Sequence, residues 1–127
     1  MLGDLDQFRG GTGEYTIYKQ IFGPAVMLTD GAKHVAQNGG KGDGDSAWWL
    51  IDAILSHQRS RRLILLEGRQ FWKLTVKETE AKRSATLTCD DGNGNVVITQ
   101  RIPYTDFDPA GVSLWFMDGV MLLPQEY

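Results

Sequence analysis

The chain has 127 residues, 42% of them apolar and 23% charged, which is the composition of an ordinary globular domain large enough to bury one core without a disulfide or structural metal. Its net charge is −3, and its single cysteine, Cys89, cannot pair within the chain, which excludes a disulfide scaffold and suits a reducing cytoplasmic compartment. Its longest apolar runs fall far short of the roughly 20 residues that cross a bilayer, and the opening MLGDLDQF does not read as a signal peptide.

The charge is unevenly distributed. Residues 1–56 hold four Lys/Arg against seven Asp/Glu, residues 57–83 eight against three, and residues 84–127 one against six. A basic middle followed by an acidic end is read first as two segments that partly neutralise each other within one fold.

Taken in chain order, Tyr15, Thr16, Ile17 and Tyr18 read as an edge strand. Thr29 is a good N-cap for a short helix over 30–37, and Asn38-Gly39 is a good stop. The stretch NGGKGDGDS at 38–46 has four Gly and no apolar residue, so it predicts a flexible, exposed loop. It is not a phosphate cradle, because Lys41 is followed by Gly where Ser or Thr should lead into a helix.

Asp45 or Ser46 then caps a longer helix over 47–58, AWWLIDAILSHQ. Ala47, Leu50, Ile51, Ile54 and Leu55 recur at helical spacing and predict a stripe packed on a sheet. Trp48 lies beside that stripe, while Trp49, Asp52, Ser56 and His57 lie toward the other side. Arg59, Arg61 and Arg62 follow where the helix dipole favours positive charge.

The remainder reads as strands. Trp72, Leu74 and Val76 alternate with Phe71, Lys73, Thr75 and Lys77; Ala85, Leu87 and Cys89 alternate with Thr86 and Thr88. Strands over 96–102, 112–117 and 120–123 follow, the last two joined by the turn pair Asp118-Gly119.

The acidic, Gly-containing stretch CDDGNGN raises a choice between a calcium loop and a hairpin turn. Counted from Asp91, the sixth position of an EF-hand loop is Val96 instead of Gly and the twelfth is Ile102 instead of Glu, so the bend and the strongest ligand are both missing. A hairpin explains more, since Asp91-Gly92 and Asn93-Gly94 are both favoured type I′ pairs. The two registers differ by an even shift, so either keeps Ala85, Leu87 and Cys89 on the face of Val96, Ile98 and Ile102. Neither a metal nor a cofactor is expected.

These elements predict one α+β domain over 1–127: an antiparallel sheet of four to six strands with two helices packed on one face. The words TDG, WWLIDAI, FWKLTV, CDDGNGN, IPYTDF and GVMLLPQEY, in this order, resemble a family of small uncharacterised bacterial and mobile-element proteins known only as a domain of unknown function. The likeness covers nearly the whole chain, except that the family passes between the two helices with few residues where this chain has 38–46. The resemblance implies a compact domain with no established activity, and its occurrence on phages and plasmids implies an accessory role such as regulating or inhibiting a host defence system.

The functional expectation is a non-enzymatic protein-binding domain. Four Trp, four Tyr and five Phe are more than a small core hides easily, and Trp48 and Trp49, adjacent on one helix, cannot both face inward. Trp49 and Trp115, with Asp52, His57, Arg59, Arg61 and Arg62, are the candidate contact residues for a host protein. Homodimerisation through a sheet edge at 120–123 is a version of the same idea. The competing arrangement has Phe8, Tyr15 and Tyr18 folding over these rings.

One alternative is RNA or single-stranded DNA binding through the basic and aromatic residues of 59–83, which include Arg69, Phe71, Trp72, Lys73, Lys77, Lys82 and Arg83. The second alternative is a small hydrolase, for which Cys89, His34 or His57, and Asp52 are the only candidate members. Against it, Cys89 falls on the inward face of its strand, and Asp52 and His57 are roughly 140° apart around an ideal helix.

Overall fold

The computed structural model describes residues 2–9, 13–20, 23–40, 46–64, 66 and 68–127. Its strands are β1 (Thr16–Tyr18), β2 (Val26–Leu28), β3 (Arg69–Glu78), β4 (Arg83–Asp90), β5 (Val96–Ile102), β6 (Val112–Met117) and β7 (Val120–Leu122). Its helices are α1 (Asp30–Asn38), α2 (Trp48–Ser56) and α3 (Arg61–Ile64). Among the described residues the strands form one seven-stranded α+β sheet in the order β1-β2-β7-β6-β3-β4-β5. No helix among them is long and apolar enough to cross a membrane.

Alternation along each strand gives the sheet two unlike faces. Leu28, Trp72, Leu74, Leu87, Leu114 and Met121 are buried on the inner face and join one cluster with Val35 and Ala36 of α1, Leu50, Ile51, Ile54 and Leu55 of α2, and Leu63 of α3. Each large apolar side chain in that cluster contributes about 1.5–3 kcal/mol. The helices therefore sit on this face. The other face carries Phe71, Lys73, Trp115 and Leu122, and none of these joins the cluster.

The expected apolar stripe of α2 is buried throughout. Its ends differ from expectation. The N-cap is Ala47, with no side-chain cap; Asp45 lies outside the described residues, as do all of 41–45. Instead the Ala47 N–H donates to the Ala36 carbonyl at 2.6 Å, tying α2 directly to α1. The helix stops at Ser56 and the chain turns into the separate α3, so Arg61 and Arg62 begin a third helix and do not close the second. Of the predicted exposed loop, Gly39 and Gly40 are buried. A Cβ on Gly39 would lie 2.5 Å from the Phe107 ring, so the segment is packed where it leaves α1.

The sheet is mixed and larger than the four to six antiparallel strands expected. The addition is β2, which pairs in parallel with β7 through Met27 with Val120 and Leu28 with Met121. That pairing covers β7 on both sides, which removes 120–123 as a dimerisation edge; the free edges are β1 and β5.

The hairpin is present, in the register that sets Cys89 opposite Ile98 and Leu87 opposite Gln100. A shift beyond Cys89 sets Val96 opposite Asp90, and Val96 is 57% exposed instead of sharing the face of Ile98. Gly92 and Gly94 have φ of +88° and +86° while Asp91 and Asn93 do not take positive φ, so neither predicted type I′ pair forms. The Asp91 carboxylate closes the turn, accepting from Asn93 N at 2.8 Å, Asn95 N at 3.2 Å and Asn95 Nδ2 at 2.9 Å. Hydrogen bonds from Asn95 and then Asn93 hold that carboxyl below its ordinary pKa. The β6–β7 turn does meet the type I′ requirement, with φ of +51° at Asp118 and +81° at Gly119.

Near the chain end, Glu126 is buried against the start of α1. Its Oε2 accepts from Gly31 N at 3.0 Å, and its Oε1 accepts from Thr29 Oγ1 at 2.6 Å and Leu123 N at 2.9 Å. A carboxylate at a helix N-terminus satisfies donors that the helix itself leaves open.

Candidate binding surfaces

Trp49 and Asp52 of α2 and its C-cap His57 have three different environments, and His57, expected on the outer side, faces the sheet instead. Tyr18 of β1 stacks on Trp48 at 5.3 Å with planes 9° apart, and its hydroxyl donates to Asp52 Oδ1 at 2.5 Å. That hydrogen bond, then burial, then the Asp52 charge push the Tyr18 pKa up to about 12. Asp52 thus anchors β1 to the helix. His57 bonds Gln100 Oε1 through Nε2 at 2.6 Å and stacks on Trp72 at 5.6 Å. His34 is held by the Leu2 carbonyl at 2.7 Å and lies against Phe8.

Cys89 is fully buried, its thiol donates weakly to the Asp90 carbonyl at 3.8 Å, and burial pushes its pKa up to about 12. The hydrogen bonds of the described residues join this thiol to neither imidazole nor to Asp52. A protonated, buried thiol is a poor nucleophile.

Trp49, the remaining predicted residue of α2, is half-buried and meets the fully buried Phe107 edge-on at 6.2 Å. It lines an open groove of about 530 Å³ with Ile102, Tyr104, Thr105 and Asp106. Tyr104 is 75% exposed, with Lys82 Nζ 5.3 Å from its ring centroid. The Asp106 carboxylate has no ion pair or hydrogen bond among the described residues.

The loop holding Tyr104 and Asp106 is fixed from beneath. Arg83 Nη1 donates to the Phe107 carbonyl at 3.1 Å and the Asp106 carbonyl at 3.4 Å, and Nη2 pairs with Glu78 at 3.1 Å. Thr105 N donates to the Arg83 carbonyl at 3.0 Å. The groove is therefore built on a braced loop that projects one large ring and one carboxylate into solvent.

Tyr104 and Asp106 lie within the word IPYTDF, and neither is among the predicted contact residues. The sequence marks only the end of the strand, a proline at 103 directly after β5.

The basic segment 59–83 is divided by the fold. Arg59, Arg61 and Arg62 are exposed in the helix layer without ion pairs among the described residues, and Arg59 borders a recess of about 480 Å³ with Gln20, Leu55 and Ser56. Trp72 is buried. Arg69, Phe71, Lys73 and Lys77 instead share the open sheet face, where Phe71 stands opposite Trp115 in register. Those two rings meet edge to face at 5.1 Å, and Tyr127 lies against Trp115 at 5.6 Å. The competing arrangement over Trp49 and Trp115 is not what forms: Tyr18 covers Trp48, Phe8 goes to His34 and Tyr15 stays exposed.

The chain matches the model of Family of unknown function (DUF6876) over residues 2–127 and belongs to that family. No curated protein and no solved structure matches it.

Proposed function

We propose that this member of a family of unknown function is a non-catalytic binding module that holds a host protein at the groove between Trp49 and Tyr104. The partner's chemistry follows from the lining: a Lys or Arg side chain flanked by apolar residues. The cation lies against the ring faces and pairs with Asp106, while the apolar flank covers Ile102 and Trp49. The observation that carries this reading is Tyr104, a large ring left mostly in water by a loop that Arg83 holds in place. Preorganisation of that kind lowers the ordering cost of binding. Lys82 over Tyr104 is an exposed contact worth about 0.5–1 kcal/mol, so a partner cation that also reaches Asp106 displaces it.

The test replaces Tyr104 with a photo-crosslinking phenylalanine analogue in the source cell, with the same analogue at Ser113 on the opposite face as control. A protein crosslinked only from position 104 is then bound to the purified chain. Tyr104→Ala and Asp106→Asn, both at exposed positions, should each weaken binding about ten-fold or more. Unchanged affinity in both variants rejects the groove.

A further inference from the structure

We infer that the open face of the sheet, on the side away from the helices and from the groove, binds single-stranded nucleic acid. The register puts Arg69, Phe71, Lys73 and Lys77 of β3 on this face, with Trp115 of β6 beside Phe71 and Arg101 of β5 two strands further on. Four exposed cations therefore share a surface on which the strands supply one acid, Asp90. This occurs in a chain of net charge −3, so the positive charge is concentrated here against the overall balance.

The arrangement supplies both halves of single-strand recognition. Arg69, Lys73 and Lys77 recur every fourth residue, which spaces them roughly 13 Å apart along one line. Such a row follows a sugar-phosphate backbone running along β3. Beside it the rings of Trp115, half-buried, and Tyr127, 77% exposed, offer faces on which unpaired bases stack. Thr75, Thr88 and Thr99 add hydroxyls on the same face, and a recess of about 360 Å³ opens beside Lys73, Thr75 and Ser113. A duplex hides its base faces and meets only the charges. An acidic polypeptide likewise meets the charges but leaves the rings unstacked.

The experiment is a fluorescence-anisotropy titration of the full chain with a labelled single-stranded oligo-dT or oligo-U and a duplex of equal length, at low and high salt. Single-strand binding that exceeds duplex binding and weakens with salt is expected. Trp115→Ala should lower single-strand affinity about ten-fold. Lys73→Gln and Lys77→Gln, at exposed positions that spare the fold, should each reduce the slope of log K against log salt by about 0.7. Circular dichroism confirms that Trp115→Ala is folded, and Trp115→Phe should restore most of the affinity. The inference is overturned by absent single-strand binding at low salt, by equal affinity for duplex, or by unlabelled poly-glutamate displacing the strand as well as unlabelled strand does. Unchanged binding by a folded Trp115→Ala overturns it too.

Discussion

Gln58 and Gln70 exchange two hydrogen bonds of 2.8 Å each, amide to amide, and Trp72 adds its indole N–H to the same Gln70 oxygen at 2.9 Å. Gln58 also donates to the Ile54 carbonyl at 3.0 Å, so one small polar network pins the end of α2 to β3 inside an otherwise apolar layer. Gln70→Ala would leave the Trp72 indole N–H and the Gln58 Oε1 without partners, while Gln58 Nε2 keeps the Ile54 carbonyl. Urea unfolding should show a loss of about 2–4 kcal/mol, more than cutting back an exposed side chain costs.

Arg83 spans from Glu78 to the carbonyls of Asp106 and Phe107, while its Nε is buried without a partner. Arg83→Met removes the two loop bonds and also that unsatisfied group, so the global loss should be modest, about 1–2 kcal/mol. The local effect should be larger. Hydrogen exchange of the amides at 104–107 should quicken by ten-fold or more while those of β3 stay protected.

The Tyr18 hydroxyl holds its proton more tightly because it donates a hydrogen bond to the Asp52 carboxylate, which raises its pKa to about 12. The interaction therefore supports the fold fully below the ordinary tyrosine value of 10.0 and is lost as pH climbs through about 12. Asp52→Asn should move one tyrosine's titration, followed by phenolate absorbance, back toward 10.0. It should also loosen the stacking of Tyr18 on Trp48, seen as a change in tryptophan emission.

Burial raises the Cys89 thiol from 9.0 to about 12. By the same linkage its contribution is complete below pH 9 and falls away as pH rises toward 12. A thiol-specific reagent at pH 8 should leave the native protein unmodified and react fully in urea. Rapid native-state modification would contradict the burial described for β4.

Much of this could be read from the residues. The α2 stripe and the alternation of β3, β4 and β6 were legible because each repeats a period over enough positions to distinguish helix from strand. The β2 strand was not, since Val26–Leu28 is three residues long and its partner Val120–Leu122 is remote in sequence; a parallel pairing of that kind leaves no local trace. Val96 escaped because alternation cannot register a shift in the strand beside it. Of the candidate contact residues, Trp49 could be named from its helical position. Its companions Tyr104 and Asp106 could not, because their placement depends on Arg83 reaching across from another strand.

The parallel pairing of β2 with β7, together with the hold of Glu126 on Gly31, has a consequence for biosynthesis. Among the described residues β1 and β2 have no sheet neighbour beyond each other except β7, 93 residues downstream at the Leu28–Met121 pair, and 95 residues separate Gly31 from Glu126. A nascent chain leaving the ribosome at about 5–20 residues per second therefore carries its first hairpin and the start of α1 unsupported for several seconds. Residues 120–126 must be made before β2 and the start of α1 find their permanent place. Segments made seconds apart complete the sheet together.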